Sequence, residues 1–393
     1  MKKKSKILFL VLAIAMIATC LFGCADNSRP SPATDPGSDP GSTSTELTKV
    51  SVGLTPYPMY TVFSVAKELG IDQKFGLDLD LKTFTGTAQG AQALTRGDVQ
   101  ISAACIAEHL AAVSGSPTLT NFAPLGNFKG FFFVGREDEW TPWDDLVEEC
   151  GGDIEKAKEQ RLLEFEGKIF CVIPQRHALI LDAISQVGLT EDDVTFMDFG
   201  DDAKAASAIL SGTGDLYIGS LPQQRSLVAQ GGYVDVGGSD ILGPAGLWFD
   251  SMMTTDAFMT ENRETALRLY AVMFASIAAF DSDPDAYSEI AARLYTETSG
   301  VETPTEEWKT FMTEFDDLVS LDEAKEGFYN PDNRLYWANA VDYNIELLVS
   351  EGSLKEGVTG EQYYGESEKL FNELLTRDDL VKLINSTTMD SLK

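Results

Sequence analysis

Histidine is nearly absent from this chain: His109 and His177 are the only two in 393 residues. Two histidines and scattered cysteines do not make a zinc site. Cysteine is scarce as well. Beyond residue 24 only Cys105, Cys150 and Cys171 remain, an odd number with no metal-site spacing, which excludes a disulfide scaffold. Basic residues are outnumbered, 30 against 62 acidic ones, and the formal charge is −32. Such a surface repels nucleic acid and anionic headgroups, so no nucleic-acid partner is expected. Familiar catalytic signatures are missing too. There is no phosphate-cradling GxxxxGKS/T loop, no HExxH helix and no GxSxG nucleophile elbow. Long apolar runs are confined to the first 22 residues, and no later stretch is apolar enough to cross a membrane.

What is present starts at the N-terminus. "MKKKSK" leads an apolar run from Ile7 to Phe22, about 16 residues. That is short for a helix spanning roughly 30 Å of hydrocarbon, and with its basic start it reads as a secretory signal. "LFGC", with Leu21 three before Cys24 and Gly23 just before it, resembles the lipobox of bacterial lipoproteins. The resemblance implies cleavage after residue 23 and diacylation of Cys24. Cys20, after Thr19, is the weaker candidate, and a signal anchor without lipid is the alternative. Residues 25–47 carry hardly any apolar side chains and many Pro, Gly, Ser and Asp. They cannot bury enough surface to offset chain entropy, which predicts a flexible tether reaching on the order of 25 Å. Loss of residues 1–23 leaves 26 basic against 62 acidic residues, a formal charge of −36.

Two stretches of the remaining chain share one plan. "VSVGLTPYPMYTVFSVAKELGI" is followed by "LDLKTFTGTAQGAQALTRGDVQIS". "KIFCVIPQRHALILDAISQVGL" is followed by "VTFMDFGDDAKAASAILSGTGDLYIG". Each reads as strand, turn, helix, strand, turn, helix, Gly-Asp turn, strand. Pro56 to Asp98 spans 42 residues and Pro174 to Asp215 spans 41. The first helix of each copy ends on a glycine, Gly70 or Gly188, able to take the left-handed conformation. "TAQGAQAL" and "DDAKAASAIL" begin with side chains able to cap a first turn. Strand–helix–strand units of this size give parallel sheets with right-handed crossovers. Two of them predict two similar α/β lobes whose strand ends and helix starts face one another across a cleft.

These stretches, about 49–113 and 166–236, resemble the solute-binding lipoproteins of ABC importers, of the type serving nitrate, taurine, aliphatic sulfonates and thiamine-pyrimidine precursors (the SsuA-like group). The resemblance implies the α/β, two-lobed type II periplasmic-binding fold, with parallel-type sheets flanked by helices and hinge crossover strands. It implies lobe 1 beginning at 49–128, lobe 2 at 129–243, and a return to lobe 1 with C-terminal helices at 244–393, after a signal at 1–23 and a tether at 24–48. Two places depart from the pattern. Residues 137–165 read as a polar helical insertion on the surface. The part beyond about 262 is long and weakly matched, and there Leu267, Tyr270, Phe274 and Ile277 form a packing stripe.

Candidate ligand contacts follow from the junctions. Tyr57 and Tyr60 in "TPYPMY" could stack on a ligand, or belong to a rigid turn. Thr87 and Gln89 in "TGTAQ" stand at a helix start able to hold an anion, or simply cap it. Cys105 follows the third strand and reads equally as a small buried side chain. In "IPQRHAL", Gln175, Arg176 and His177 sit where the second lobe's first strand meets its helix. Arg176 offers a charged fork for carboxylate, sulfonate or phosphate. In "GSLPQQR", Leu221 suggests an apolar wall and Gln223 a polar contact. Trp248, on the return crossover, is either a lid or core. His109 lies on an apolar helix face and reads as a packed or surface side chain.

The resulting expectation is capture without catalysis. A monomer on the extracytoplasmic face, membrane-bound through its lipid alone, closes on a small-molecule ligand. It then delivers that ligand to an ABC permease and its ATPase, with no cofactor or metal. The expected ligand is a sulfonate, nitrate or a thiamine-pyrimidine-like solute. Arg176 argues for an anion, and Tyr57, Tyr60 and Trp248 for an aromatic ring or a cation against its face. A ligand-sensing surface lipoprotein is the alternative. An enzyme making thiamine pyrimidine is less favoured, because the cysteine-rich motif of that relative is missing.

Overall fold

A computed structural model describes residues 46–393 apart from 220, 334 and 351–353. The signal, Cys24 and nearly all of the tether therefore lie outside the described residues. Residues 45–393 form one compact unit. The apolar runs read from the sequence become strands: β1 Thr48–Leu54, β2 Leu77–Thr83 and β3 Ile101–Cys105 in the first copy. After them come β4 Leu119–Phe128 and β5 Phe133–Arg136. The second copy supplies β6 Ile169–Val172, β7 Thr195–Asp198 and β8 Leu216–Tyr217. These are followed by β9 Tyr233–Gly237, β10 Trp248–Thr255 and β11 Asp316–Leu318.

The strands assemble into two sheets, one per lobe. One has the order β11-β4-β10-β3-β1-β2, the other β7-β6-β8-β5-β9. Read from opposite ends, they repeat one arrangement: β2-β1-β3-β10-β4 against β7-β6-β8-β5-β9. In each, the first strand lies parallel to both neighbours, β1 to β2 and β3, β6 to β7 and β8. The fourth strand is antiparallel, β10 beside β3 and β5 beside β8. Each sheet takes that antiparallel strand from across the crossover, so the chain passes between lobes at 128–133 and returns at 237–248. Two helix-ending glycines act as anticipated: Gly70 has φ 67° and Gly188 φ 81°, a conformation that is costly for any residue with a Cβ.

Burial separates along the same division. One apolar core lies around the first sheet, joined by the helix Arg263–Ser282, in which Leu267, Tyr270, Phe274 and Ile277 are buried. Two smaller clusters lie around the second sheet. Residues 137–165 are helical and mostly exposed, as the sequence suggested, but they are more than a surface addition. They form helices Trp143–Glu149 and Ile154–Leu163, and Trp140, Trp143, Leu146, Leu162 and Phe165 are buried in the second lobe's core. A few large apolar residues anchor the segment, and its charged majority faces outward. Among the described residues no helix is long and apolar enough to cross a membrane.

Candidate functional site

The start of the first helix in each lobe is built the same way. After β1 a short 3₁₀ turn, Pro58–Tyr60, leads into the helix Thr61–Glu68; after β6 the turn Pro174–Arg176 leads into the helix His177–Ser185. Proline at the first turn position costs nothing, because that N–H has no helical partner. The last residues of the two turns, Tyr60 and Arg176, both line one cavity of about 880 Å³ at the crossovers. Lobe 1 adds Tyr57, Thr87, Cys105 and Glu108; lobe 2 adds Leu221 and Arg225; the crossovers add Phe131, Trp248 and Asp250. The C-terminal segment contributes Tyr295, Trp308, Phe311 and Asp316. A volume of this size suits a small organic molecule.

Of the residues anticipated from sequence, Tyr57, Tyr60, Thr87, Cys105, Arg176, Leu221 and Trp248 line the cavity. Three do not. Gln89 is exposed, and its side-chain oxygen accepts the Thr85 N–H at 3.2 Å. His177 stacks on Phe196 with 4.0 Å between ring centroids, and its Nε2 lies 2.6 Å from Asp198 Oδ1, so edge strand β7 holds it. Gln223 is half-buried away from the cavity, and its neighbour Gln224 is the buried one. The Gln224 amide oxygen accepts from Gly219 N–H at 3.0 Å and its NH₂ donates to the Gly130 carbonyl at 2.8 Å. The Gln175 side chain lies outside the described residues. His109 is fully buried, edge-on to Tyr363 at 4.5 Å, and burial depresses its pKa to about 3.

The electrostatics divide by lobe. On the lobe 2 side, the Arg176 guanidinium lies over the Phe131 ring, 4.6 Å from its centroid, and its Nε has no hydrogen-bond partner. Burial lowers its pKa, partly opposed by the charge of Asp202. On the lobe 1 side stand carboxylates. Glu108 accepts a hydrogen bond from Thr87, which is therefore not the helix cap; Gly86 holds that position with no side-chain cap. Asp250 Oδ1 accepts from the Tyr60 hydroxyl at 3.0 Å. Burial pushes Asp250 up to about 7, and Glu108 adds repulsion. Asp316 is 3 % exposed and its Oδ1 has no hydrogen-bond partner. Burial first, and Asp250 second, hold it well above the usual carboxylate range. Cys105 is likewise pushed well up by burial, then by Glu108 and Asp250, so it is not a poised thiolate.

Trp248 is half-buried and meets Phe131 edge to face at 5.7 Å and 81°, packing against both lobes' cores. Residues missed from sequence are Glu108, Asp250, Asp316 and the C-terminal aromatics. A signal existed for Asp250, a lone acid inside the apolar strand "WFDSMM". Asp316 sits in an ordinary acidic stretch and offered none.

Several solved structures share this architecture. The periplasmic aliphatic sulphonate-binding protein SsuA of Escherichia coli superposes with a TM-score of 0.56 at 14 % identity, covering 80 % of this chain and 91 % of that one. A putative periplasmic sulfonate-binding SsuA of Methylobacillus flagellatus gives 0.57 at 14 % identity, covering 85 % and 96 %. The ligand-binding component of an ABC-type import system from Staphylococcus aureus gives 0.50 at 12 %, covering 83 % and 99 %. At such identities the likeness establishes the two-lobed binding-protein fold. No family profile matches the chain, and no curated protein matches it.

Proposed function

We propose that this chain is the extracytoplasmic solute-binding lipoprotein of an ABC importer. It captures a small organic solute between its lobes and hands it to a membrane permease powered by an ATPase. The observation that carries the reading is the cavity of about 880 Å³ at the crossovers, lined by both lobes, with Tyr60 and Arg176 at matching turns. Two crossings between lobes make a hinge. Closure is favoured only by the extra affinity the solute has for the closed form. Tyr57, 60 % exposed at the cavity edge, is surface that closure covers. Lipid on Cys24 and the tether at 24–48 keep the protein at the membrane. No catalytic step is assigned. The thiol at the cavity is held protonated, and its carboxylates are explained better as ligand contacts than as an acid–base pair.

The sulfonate-binding proteins of the same fold make an anionic ligand an obvious first thought, and Arg176 is the residue that would serve it. The test of the general reading is independent of ligand charge. Small-angle scattering of the full chain in detergent is recorded with and without a low-molecular-weight extract of the producing cells. Compaction on adding the extract is expected, together with loss of uptake of the compacting solute when the chain is deleted. No compaction with any extract overturns the reading.

A further inference from the structure

Resting on the reading that this cleft binds a solute, we infer that the solute is an organic cation, whose positive nitrogen docks on the lobe 1 carboxylates Asp250, Asp316 and Glu108. The geometry is set by strand register. Asp250 on β10 pairs with Gly126 of β4, and Asp316 on β11 pairs with Phe128 of β4 from the other side. Paired residues share a face, as do residues two apart on one strand. The two carboxylates therefore rise from one face of the sheet, flanking β4. Between them is a glycine with no room for a side chain: a Cβ on Gly126 would stand 2.3 Å from the Asp317 carbonyl oxygen.

The charges facing this cavity are unbalanced. Among the described residues none of Glu108, Asp250 and Asp316 takes part in an ion pair. Glu108 has a threonine hydroxyl, Asp250 a tyrosine hydroxyl, and one Asp316 oxygen has nothing. A buried carboxylate without a partner is costly, and natural sites leave one so for a reason. The cations on the far wall are Arg176 and Arg225: Arg176 lies over the Phe131 ring, with Asp202 the acid that acts most strongly on it, and Arg225 lies over the Phe315 ring, 5.4 Å from its centroid. In the empty cleft protons supply part of the missing positive charge, as the raised Asp250 and Asp316 show, and a cationic guest would take their place. Among the described residues no acidic cluster is grouped tightly enough to hold a metal ion, which leaves an ammonium or amidinium. Tyr57, Trp248 and Phe311 line the same space and suit an apolar or aromatic body, or the face of a cation. Nitrate and simple sulfonates would meet Arg176 and Arg225 but also four acidic side chains of the lining, Glu108, Asp250, Asp316 and Glu307.

The test fractionates the extract and uses one defined pair of probes. If passage through a cation exchanger removes the component that compacts the full chain, and an anion exchanger does not, the proposal stands. If only the anion exchanger removes it, the proposal is overturned while solute binding survives. An extract inactive before fractionation overturns both. The defined probes are benzylammonium and benzenesulfonate, compared by calorimetry. Benzylammonium is expected to bind more tightly, and Asp316→Asn to weaken it about 10- to 100-fold, the range for a buried charge-assisted contact. Lys204→Gln, which removes an exposed cation outside the cavity, should leave it within about threefold. Asp316 has no partner to lose, so Asp316→Asn is expected to fold; Glu108→Gln is the second variant. Tighter benzenesulfonate binding that Arg176→Gln abolishes would contradict the inference.

Discussion

Asp250→Asn is the perturbation whose outcome the structure constrains most. Asp250 is half-buried on the crossover strand at the cavity, and burial pushes it up to about 7 against the opposing hydrogen bond from Tyr60. In the unfolded chain the same group titrates near 3.8. Between these values the native state binds more protons than the unfolded state, so the stability of the native state falls as pH rises through the window. At about 1.4 kcal/mol per tenfold change in proton affinity, the loss attributable to Asp250 reaches at most about 4 kcal/mol above pH 7. Asparagine keeps the shape, still accepts from the Tyr60 hydroxyl, and does not titrate. Tyr60, Glu108, Cys105, Asp316 and Arg176 face or act on the same space and are present in both proteins. The raised Asp235 and Asp281 elsewhere are also shared and cancel. Asp316 relaxes toward its ordinary value once its neighbour is neutral, which adds to the gain. Urea unfolding of the empty protein should therefore show near-equal stability at pH 4. At pH 8 the variant should be more stable by about 2–4 kcal/mol. A difference that does not change with pH, or a variant less stable at pH 8, would refute the burial argument.

Other outcomes follow from the same structure. Gln224→Ala leaves the buried Gly219 N–H and Gly130 carbonyl without their partners and should cost roughly 2–3 kcal/mol in a urea melt at pH 7. His109, depressed to about 3 by burial, stays neutral in the native state while the unfolded chain protonates. Native stability is thus lost as pH falls from about 6.5 toward 3, and His109→Gln should flatten that slope between pH 7 and pH 4. Cys24→Ser should move the protein from the membrane to the soluble fraction, with intact mass showing no acyl chains. Persistent membrane association would contradict lipid anchoring.

The repeat was legible because each step has a local cause. Apolar runs of strand length became β1, β2, β3 and their counterparts β6, β7, β8, and Gly70 and Gly188 stand at the helix ends with positive φ. The cleft junctions followed from that plan, which is why Tyr60 and Arg176 were foreseeable. His177 was not separable from Arg176 by position alone, because its fate depends on Phe196 and Asp198, nineteen and twenty-one residues away on β7. Thr87 looked like a cap, yet its hydroxyl goes to Glu108 on another helix. The polarity of 137–165 concealed Trp140, Trp143 and Phe165, since a segment needs few large side chains to be anchored. The C-terminal wall of the cavity was hidden most thoroughly. Asp316 meets β4 across nearly two hundred residues, and no local pattern encodes such a partner.

The most direct measurement is a crystal structure of the full-length protein carrying the solute with which it leaves the cell. The account predicts continuous density between the lobes, touching Tyr60 on one side and Arg176 or Leu221 on the other, with a nitrogen within hydrogen-bond distance of Asp250 or Asp316. A solute seated outside this cavity, or a cavity collapsed and filled by Trp248 and Phe311, would contradict it.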